Sequence, residues 1–178
     1  MMTTFSAKFR TRIGLWNMRT MSDPGTQKVI EKVMIDFNLE ILGLSETRRH
    51  GYGEIRTQDR NTLIYSGQQE NARPRQAGVG ILMTQKTRKG LMEWKAISER
   101  IIVARFKTKF RNISIVQCYA PTEDAEEEDK NKFYDQLQNT THQIKKQDIK
   151  IVMGDLNAKV GNDNSGMEEV MGNMDLDL

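Results

Sequence analysis

The sequence predicts an α/β layered domain, with a mixed β-sheet and helices packed on it. Two observations carry that prediction. Along the chain the pattern runs strand, helix, several strands, helix, strand. Polar residues stand at the carboxyl ends of the apolar runs, where layered α/β folds place their sites. With 178 residues the chain has a one-domain length. The expected division is a tail over 1–10, the domain over 11–160 and an irregular tail over 161–178.

The elements follow in order. Arg12 to Trp16 (RIGLW) is a short apolar run that reads as a strand, with Asn17 directly after it. The stretch SDPGTQKVIEKVMIDF reads as a helix. Ser22 or Asp23 can cap it, and Pro24 sits where the first turn needs no N–H. Val29, Ile30, Val33, Met34 and Phe37 form its apolar face at helical spacing. Glu40 to Ser45 (EILGLS) suits a buried strand, with Glu46 at its end. Thr47 to Asn61 is polar and reads as a loop. NTLIYS is a strand, Gly67 to Ala77 a polar loop, and GVGILMT (Gly78 to Thr84) a strand whose glycines allow close approach. Ile101 to Lys107 and Asn112 to Tyr119 read as an antiparallel hairpin. Glu123 to Lys146 reads as a helix with Phe133, Leu137, Thr141 and Ile144 as its stripe and an Asp124–Glu127 cap box. Ile149 to Asn157 (IKIVMGDLN) reads as a buried strand ending in Gly154, Asp155, Leu156 and Asn157.

Composition narrows the functional class. The single cysteine, Cys118, rules out a disulfide within the chain and disfavours a thiolate zinc site, which fits a reducing compartment. No apolar run approaches the roughly 20 residues that span a bilayer. The start MMTTFSAKFRTR has no apolar h-region, so the expected location is intracellular, nucleus or cytoplasm, without secretion or membrane association. Net charge is +3 but divided: Met1 to Cys118 holds 21 Lys+Arg against 10 Asp+Glu, and Tyr119 to Leu178 holds 6 against 14. A basic front half suits a polyanion such as nucleic acid, and scattered solvated side chains give the same count.

Four oxygen-bearing residues share one context. Asn17, Glu46, Asp155 and Asn157 each follow a strand-like run, so neighbouring strands in one sheet would make them converge. Carboxylate and amide oxygens without His or Cys suit a hard cation such as magnesium, which takes only one or two protein carboxylates. Such a cation polarises a phosphate oxygen. Asp155 is then free to serve as base or to orient water, while Asn157 and the Tyr119 hydroxyl stabilise phosphoryl charge. Each residue also has a plain structural use: Asn17 as a turn former, Glu46 as a cap or surface carboxylate, Asp155 to Asn157 as a turn after a strand.

The segments LWNMRTM, ILGLSETRR, GVGIL, VQCYAPT and IVMGDLNAKVG, in that order, resemble the ordered motifs of the endonuclease/exonuclease/phosphatase superfamily. The surrounding wording resembles the endonuclease domains of non-LTR (LINE-type) retrotransposons and the related craniofacial development protein 2-like sequences. The resemblance runs from about Thr11 to about Gly172. It implies the N-terminal portion of a four-layer α/β sandwich, two mixed sheets flanked by helices. It also implies magnesium-dependent phosphodiester hydrolysis that nicks DNA, with manganese as a substitute. In its terms Asn17 and Glu46 are metal-site residues, and Asn17, Tyr119, Asp155 and Asn157 are catalytic. Arg48, Arg49, Arg73 and Arg75 would form a DNA-facing rim, with Arg56 and Arg60 following on the same loop; solvated loop charge is the equal alternative.

The sequence departs from that pattern in one respect. The superfamily carries a late motif in which an aspartate precedes a catalytic histidine. Here the only histidines are His50 in RRHG and His142 in THQ, and no Asp-His pair occurs. The expectations are an incomplete second half, an uncovered face on the first sheet that invites self-association, and activity weakened by several kcal/mol, about the loss of one preorganised donor. Three functions compete: a DNA-nicking nuclease, a non-catalytic remnant that binds nucleic acid or protein, and a phosphatase acting on a small phosphoester or phospholipid.

Overall fold

The computed structural model describes residues 11–18, 24–69 and 77–157. Its elements are β1 (Ile13–Asn17), α1 (Pro24–Asp36), β2 (Ile41–Ser45), β3 (Tyr52–Arg56), β4 (Thr62–Ser66), β5 (Val79–Met83), α2 (Gln85–Arg88), β6 (Leu91–Ser98), β7 (Ile101–Phe106), β8 (Ile113–Tyr119), α3 (Glu127–Gln143) and β9 (Ile149–Asp155). The two expected tails, the Ser22 or Asp23 cap and the arginines at 73 and 75 lie outside the described residues.

Two sheets form. The first has the order β1-β2-β5-β4-β3 and the second β6-β7-β8-β9. Each is mixed: β1 runs parallel to β2 and β8 parallel to β9, and every other pairing is antiparallel. Period-two alternation sorts the side chains into three apolar layers. Ile41, Ile64, Val79, Ile81 and Met83 of the first sheet meet Ile102, Ala104, Phe106, Ile113 and Ile115 of the second. On the outer face of the first sheet, Leu42, Leu44, Leu63 and Leu82 pack with Ile30 and Met34 of α1. On the outer face of the second, Ile101, Val116 and Cys118 pack with Phe133 and Ile144 from α3 and its end. The order α1, sheet, sheet, α3 is a four-layer sandwich.

The structure corrects several expectations. The first sheet keeps the partner that was expected to be missing, because β6 to β9 pack on its inner face; the cover thins at the edge strands, where Leu15 of β1 and Ile149 of β9 stay exposed on the inward rows. Thr47 to Asn61 is not all loop: β3 lies within it, an edge strand whose Tyr52, Glu54 and Arg56 face solvent, so its composition reads as polar. The segment between Thr84 and Arg100, given no element from sequence, holds α2 and β6, whose apolar residues are interrupted by register shifts at Leu91/Glu93 and Ala96/Ser98. Val29 on α1 and Phe37 just past its end are exposed, so the helix buries a narrower stripe. The α3 helix begins at Glu127, and Glu126 caps it without a side-chain bond, so the Asp124–Glu127 box does not form. β9 is an edge strand and only partly buried, with Ile149 and Val152 exposed.

Candidate active site

The two parallel strand pairs end in register. Asn17 at the end of β1 stands opposite Ser45 at the end of β2. Tyr119 at the end of β8 stands opposite Asp155 at the end of β9. The four strands therefore do not share one sheet, as the convergence argument assumed. They belong to facing sheets, and the site forms across the gap between them. Asn17, Tyr119 and Asp155 continue the inward-facing rows of their strands, so the same alternation that builds the inter-sheet core delivers polar groups at its rim. Glu46 follows β2, and its φ of 55° turns the chain out of the strand and brings the carboxylate into the same cluster.

Four of the sequence-predicted residues meet there. Asn17 Nδ2 donates to Glu46 Oε1 at 2.6 Å and contacts Asp155 Oδ2 at 3.4 Å. The Tyr119 hydroxyl donates to Glu46 Oε1 at 3.2 Å. One neutral amide thus spans two carboxylates. Asn157 enters differently: its backbone N–H donates to Asp155 Oδ1 at 3.0 Å, while its side-chain Nδ2 donates to the Ala120 carbonyl at 2.7 Å. It fixes the Asp155 loop rather than reaching the carboxylate pair with its amide. Gly154 makes the approach of β9 to β8 feasible. Its φ is 144°, and a Cβ there would fall 1.9 Å from the Cys118 carbonyl oxygen.

The electrostatics follow from burial and charge. Burial raises the Tyr119 phenol above its usual pKa, with the Glu46 carboxylate adding and Arg100 opposing. The phenol stays protonated and able to donate. Burial likewise pushes the Cys118 thiol up to about 11, with Asp155 adding, so this thiol is a neutral core group. No group of three or more His, Cys, Asp or Glu side chains among the described residues is arranged to hold a metal. The carboxylate oxygens of Glu46 and Asp155 are donors of the kind magnesium uses with few protein ligands and several waters, while Asn17 turns its Nδ2, a hydrogen-bond donor, toward both.

Of the expected rim, Arg48 pairs with Glu46 at 3.3 Å and lines a cleft of about 890 Å³ with Glu46, Arg100, Tyr119 and Asp129. Arg49 lies instead over the Tyr65 ring, 4.6 Å from its centroid. Arg56 is at the far end of the first sheet: it pairs with Thr62, whereas the site end of that sheet is marked by Tyr52, Ser66, Val79 and Ser45. Arg60 lies in the turn that follows. His142 is exposed near the end of α3. Both ring nitrogens of His50 are buried without a hydrogen-bond partner, and the ring does not line the cleft.

Two residues of the site escaped the sequence. Arg100 holds Tyr119 from the side: Nη1 donates to the Tyr119 carbonyl at 3.2 Å, and the guanidinium lies 5.3 Å from the ring centroid. Gln117 sits in the inward row of β8 and crosses to the first sheet. Its Nε2 donates to the Leu44 carbonyl at 3.3 Å and the Ser45 hydroxyl at 3.2 Å. Gly43 leaves room for it, since a Cβ there would lie 2.1 Å from Gln117 Oε1. A polar residue in an otherwise apolar alternating row was the available signal for Gln117; nothing local marks Arg100.

Craniofacial development protein 2 of Bos taurus is 37% identical over 149 residues, 84% of this chain and 24% of that protein. The chain spans about a quarter of the length of the curated relatives it matches. No family model matches the sequence. Three solved structures superpose on the chain. An AP endonuclease from Archaeoglobus fulgidus gives a TM-score of 0.60 at 14% identity, covering 84% of this chain and 58% of that one. An endonuclease/exonuclease/phosphatase family protein from Leptotrichia buccalis gives 0.58 at 12% identity, covering 84% and 67%. The chain has the endonuclease/exonuclease/phosphatase fold. The endonuclease domain of TRAS1, a telomere-specific non-LTR retrotransposon, shares that fold with a TM-score of 0.56 at 15% identity, covering 84% and 61%. The fold and the kinship with craniofacial development protein 2 that the motifs implied both hold.

Proposed function

We propose that the chain carries the carboxylate half of a divalent-metal-dependent phosphodiesterase centre that acts on DNA. One observation carries this reading: two in-register parallel strand ends on facing sheets bring Asn17, Glu46, Tyr119 and Asp155 into one hydrogen-bonded cluster. The nuclease names of two structural neighbours and the basic front half of the sequence support DNA as substrate over a small phosphoester.

In this reading Glu46 would hold magnesium, or manganese in its place, with the side-chain oxygen of Asn17 as a second ligand. Bound there, the cation would neutralise phosphate charge and polarise a phosphate oxygen. Asp155, held by the Asn157 amide N–H, accepts a proton from the attacking water or orients it. Tyr119 stays protonated and donates to a non-bridging phosphate oxygen as negative charge builds. Asn17 keeps the two carboxylates in register. Arg48 on the cleft wall contacts the strand backbone.

Neither histidine belongs to this cluster, so the chain by itself works without an imidazole and cleaves slowly. The same observation favours the second reading, a non-catalytic nucleic-acid-binding unit. A supercoiled-plasmid nicking assay on the purified chain separates the two, run with magnesium, with EDTA, and with Glu46→Ala and Asp155→Ala. Magnesium-dependent nicking lost in both variants is the expected result. Nicking no greater than in the variants sinks the catalytic reading and leaves binding.

A further inference from the structure

Glu46 divides its two carboxylate oxygens between unlike partners. Oε1 accepts from Asn17 at 2.6 Å and from the Tyr119 hydroxyl at 3.2 Å, both anchored at strand ends. Oε2 accepts from Arg48 Nη2 at 3.3 Å, a partner that belongs to a loop. Within that loop both Glu46 and Arg48 have left-handed backbones, with φ of 55° and 51°. Non-glycine residues adopt this conformation at a cost, and such strain gathers at sites where it serves a function. The Thr47 N–H donates to the Gly78 carbonyl at 3.0 Å and pins the turn between them. The geometry folds Arg48 back onto a carboxylate only two residues earlier. The Arg48 side chain is 40% exposed and Glu46 only 16%, so the arginine forms the open side of the pair. It lines the cleft together with Arg100 and Tyr119.

We propose that Arg48 is the counter-cation of Glu46 in the metal-free protein, and that a divalent cation and a DNA phosphate together displace it, the cation taking the carboxylate and the phosphate taking the guanidinium. The proposal rests on Glu46 being a cation ligand, as argued above. Arg48 and a divalent cation on one carboxylate repel each other, so Arg48 weakens metal binding to the free protein. A phosphodiester beside the cation offers the guanidinium an anionic partner with the bidentate geometry it prefers. Metal and DNA then tighten each other's binding by an equal factor. Arg48 thereby couples cation loading to the presence of substrate.

The test measures Mn²⁺ binding to the 178-residue chain, by the electron paramagnetic resonance signal of free Mn²⁺ at low ionic strength, with and without a short DNA duplex. Without DNA, Arg48→Gln is expected to bind Mn²⁺ roughly three- to tenfold more tightly than the unsubstituted chain, the effect of removing one screened like charge. After subtraction of the Mn²⁺ held by DNA alone, DNA is expected to tighten Mn²⁺ binding in both chains, because the cation meets a phosphate in either, but by a clearly smaller factor in Arg48→Gln. Arg48→Lys keeps the charge, so its DNA-free affinity should match the unsubstituted chain while its coupling to DNA shrinks with the lost planar fork. A purely structural arginine would not restrain metal binding. Unchanged or weaker Mn²⁺ binding by Arg48→Gln, with binding still dependent on Glu46, overturns the exchange and leaves the metal site standing. Binding that survives intact in Glu46→Gln, or no binding by any of the variants, overturns the metal site and the exchange together.

Discussion

Tyr119 shows how one side chain can belong to both core and site. Its ring closes the inter-sheet layer and is 6% exposed, while its hydroxyl reaches Glu46. Tyr119→Phe keeps the ring and removes the donor. In the nicking assay it should slow cleavage by roughly ten- to a hundredfold, somewhat less than the loss of a dedicated oxyanion donor. Cys118 provides a second test at this scale. It is fully buried, with a thiol held to about 11, so iodoacetamide should leave it unmodified in the native protein and alkylate it in urea. The motifs VQCYAPT and GDLNA supply Tyr119 and Asp155, which the fold brings into one cluster, and Asn157 beside it, yet the sequence did not distinguish the contacts each makes. Asn157 works through its backbone N–H and Ala120, a role that follows from a turn and not from residue type.

Among the elements, β9 depends on two devices. The first is Gly154. In Gly154→Ala the new methyl meets the Cys118 carbonyl and the backbone must leave φ 144°, so the β8–β9 junction shifts and Asp155 with it. The expected outcome is loss of magnesium-dependent nicking and of about 1–3 kcal/mol in a urea titration. The second is Asp148, just before β9, whose carboxylate is fully buried against Arg105 at 2.6 Å and also accepts from the Ser114 hydroxyl at 2.9 Å. The hydrogen bond from Arg105 holds its pKa below the ordinary 3.8. A depressed pKa contributes stability that is complete above the ordinary value and is lost as pH falls below it. Asp148→Asn should cost about 3–5 kcal/mol at pH 7. It should also unfold with less dependence on pH below about 4 than the unsubstituted chain, as followed by urea midpoints.

For the whole molecule, the site exists only where two sheets face each other, so its occupancy and its fold are coupled. A cation bound by the folded state alone raises stability with its concentration. Magnesium in the millimolar range should therefore raise the melting temperature of the unsubstituted chain and leave Glu46→Gln unmoved, measured by circular dichroism. An equal rise in both would place any bound magnesium elsewhere. Gln117 ties the sheets under the site, and Gln117→Leu, which removes its bonds to Leu44 and Ser45, should weaken magnesium's effect on melting as the sheet ends loosen.

The sequence by itself determined the apolar runs, their order and the polar residue at the end of each, because alternation and composition are local properties. It therefore specified the α/β class, the strands β1, β2, β4, β5 and the β7–β8 hairpin, and the identities of Asn17, Glu46, Tyr119 and Asp155. Edge strands such as β3 and β6 stayed hidden because solvent on one side relaxes the apolar pattern that reveals a strand. Only the tertiary structure decided that the converging strands belong to two sheets, that Arg48 closes onto Glu46 while Arg49 turns to Tyr65, and that Arg56 stands at the opposite end of its sheet. Those outcomes depend on strand pairing and register, which join residues far apart in the chain, and a one-residue change in register moves a side chain to the other face.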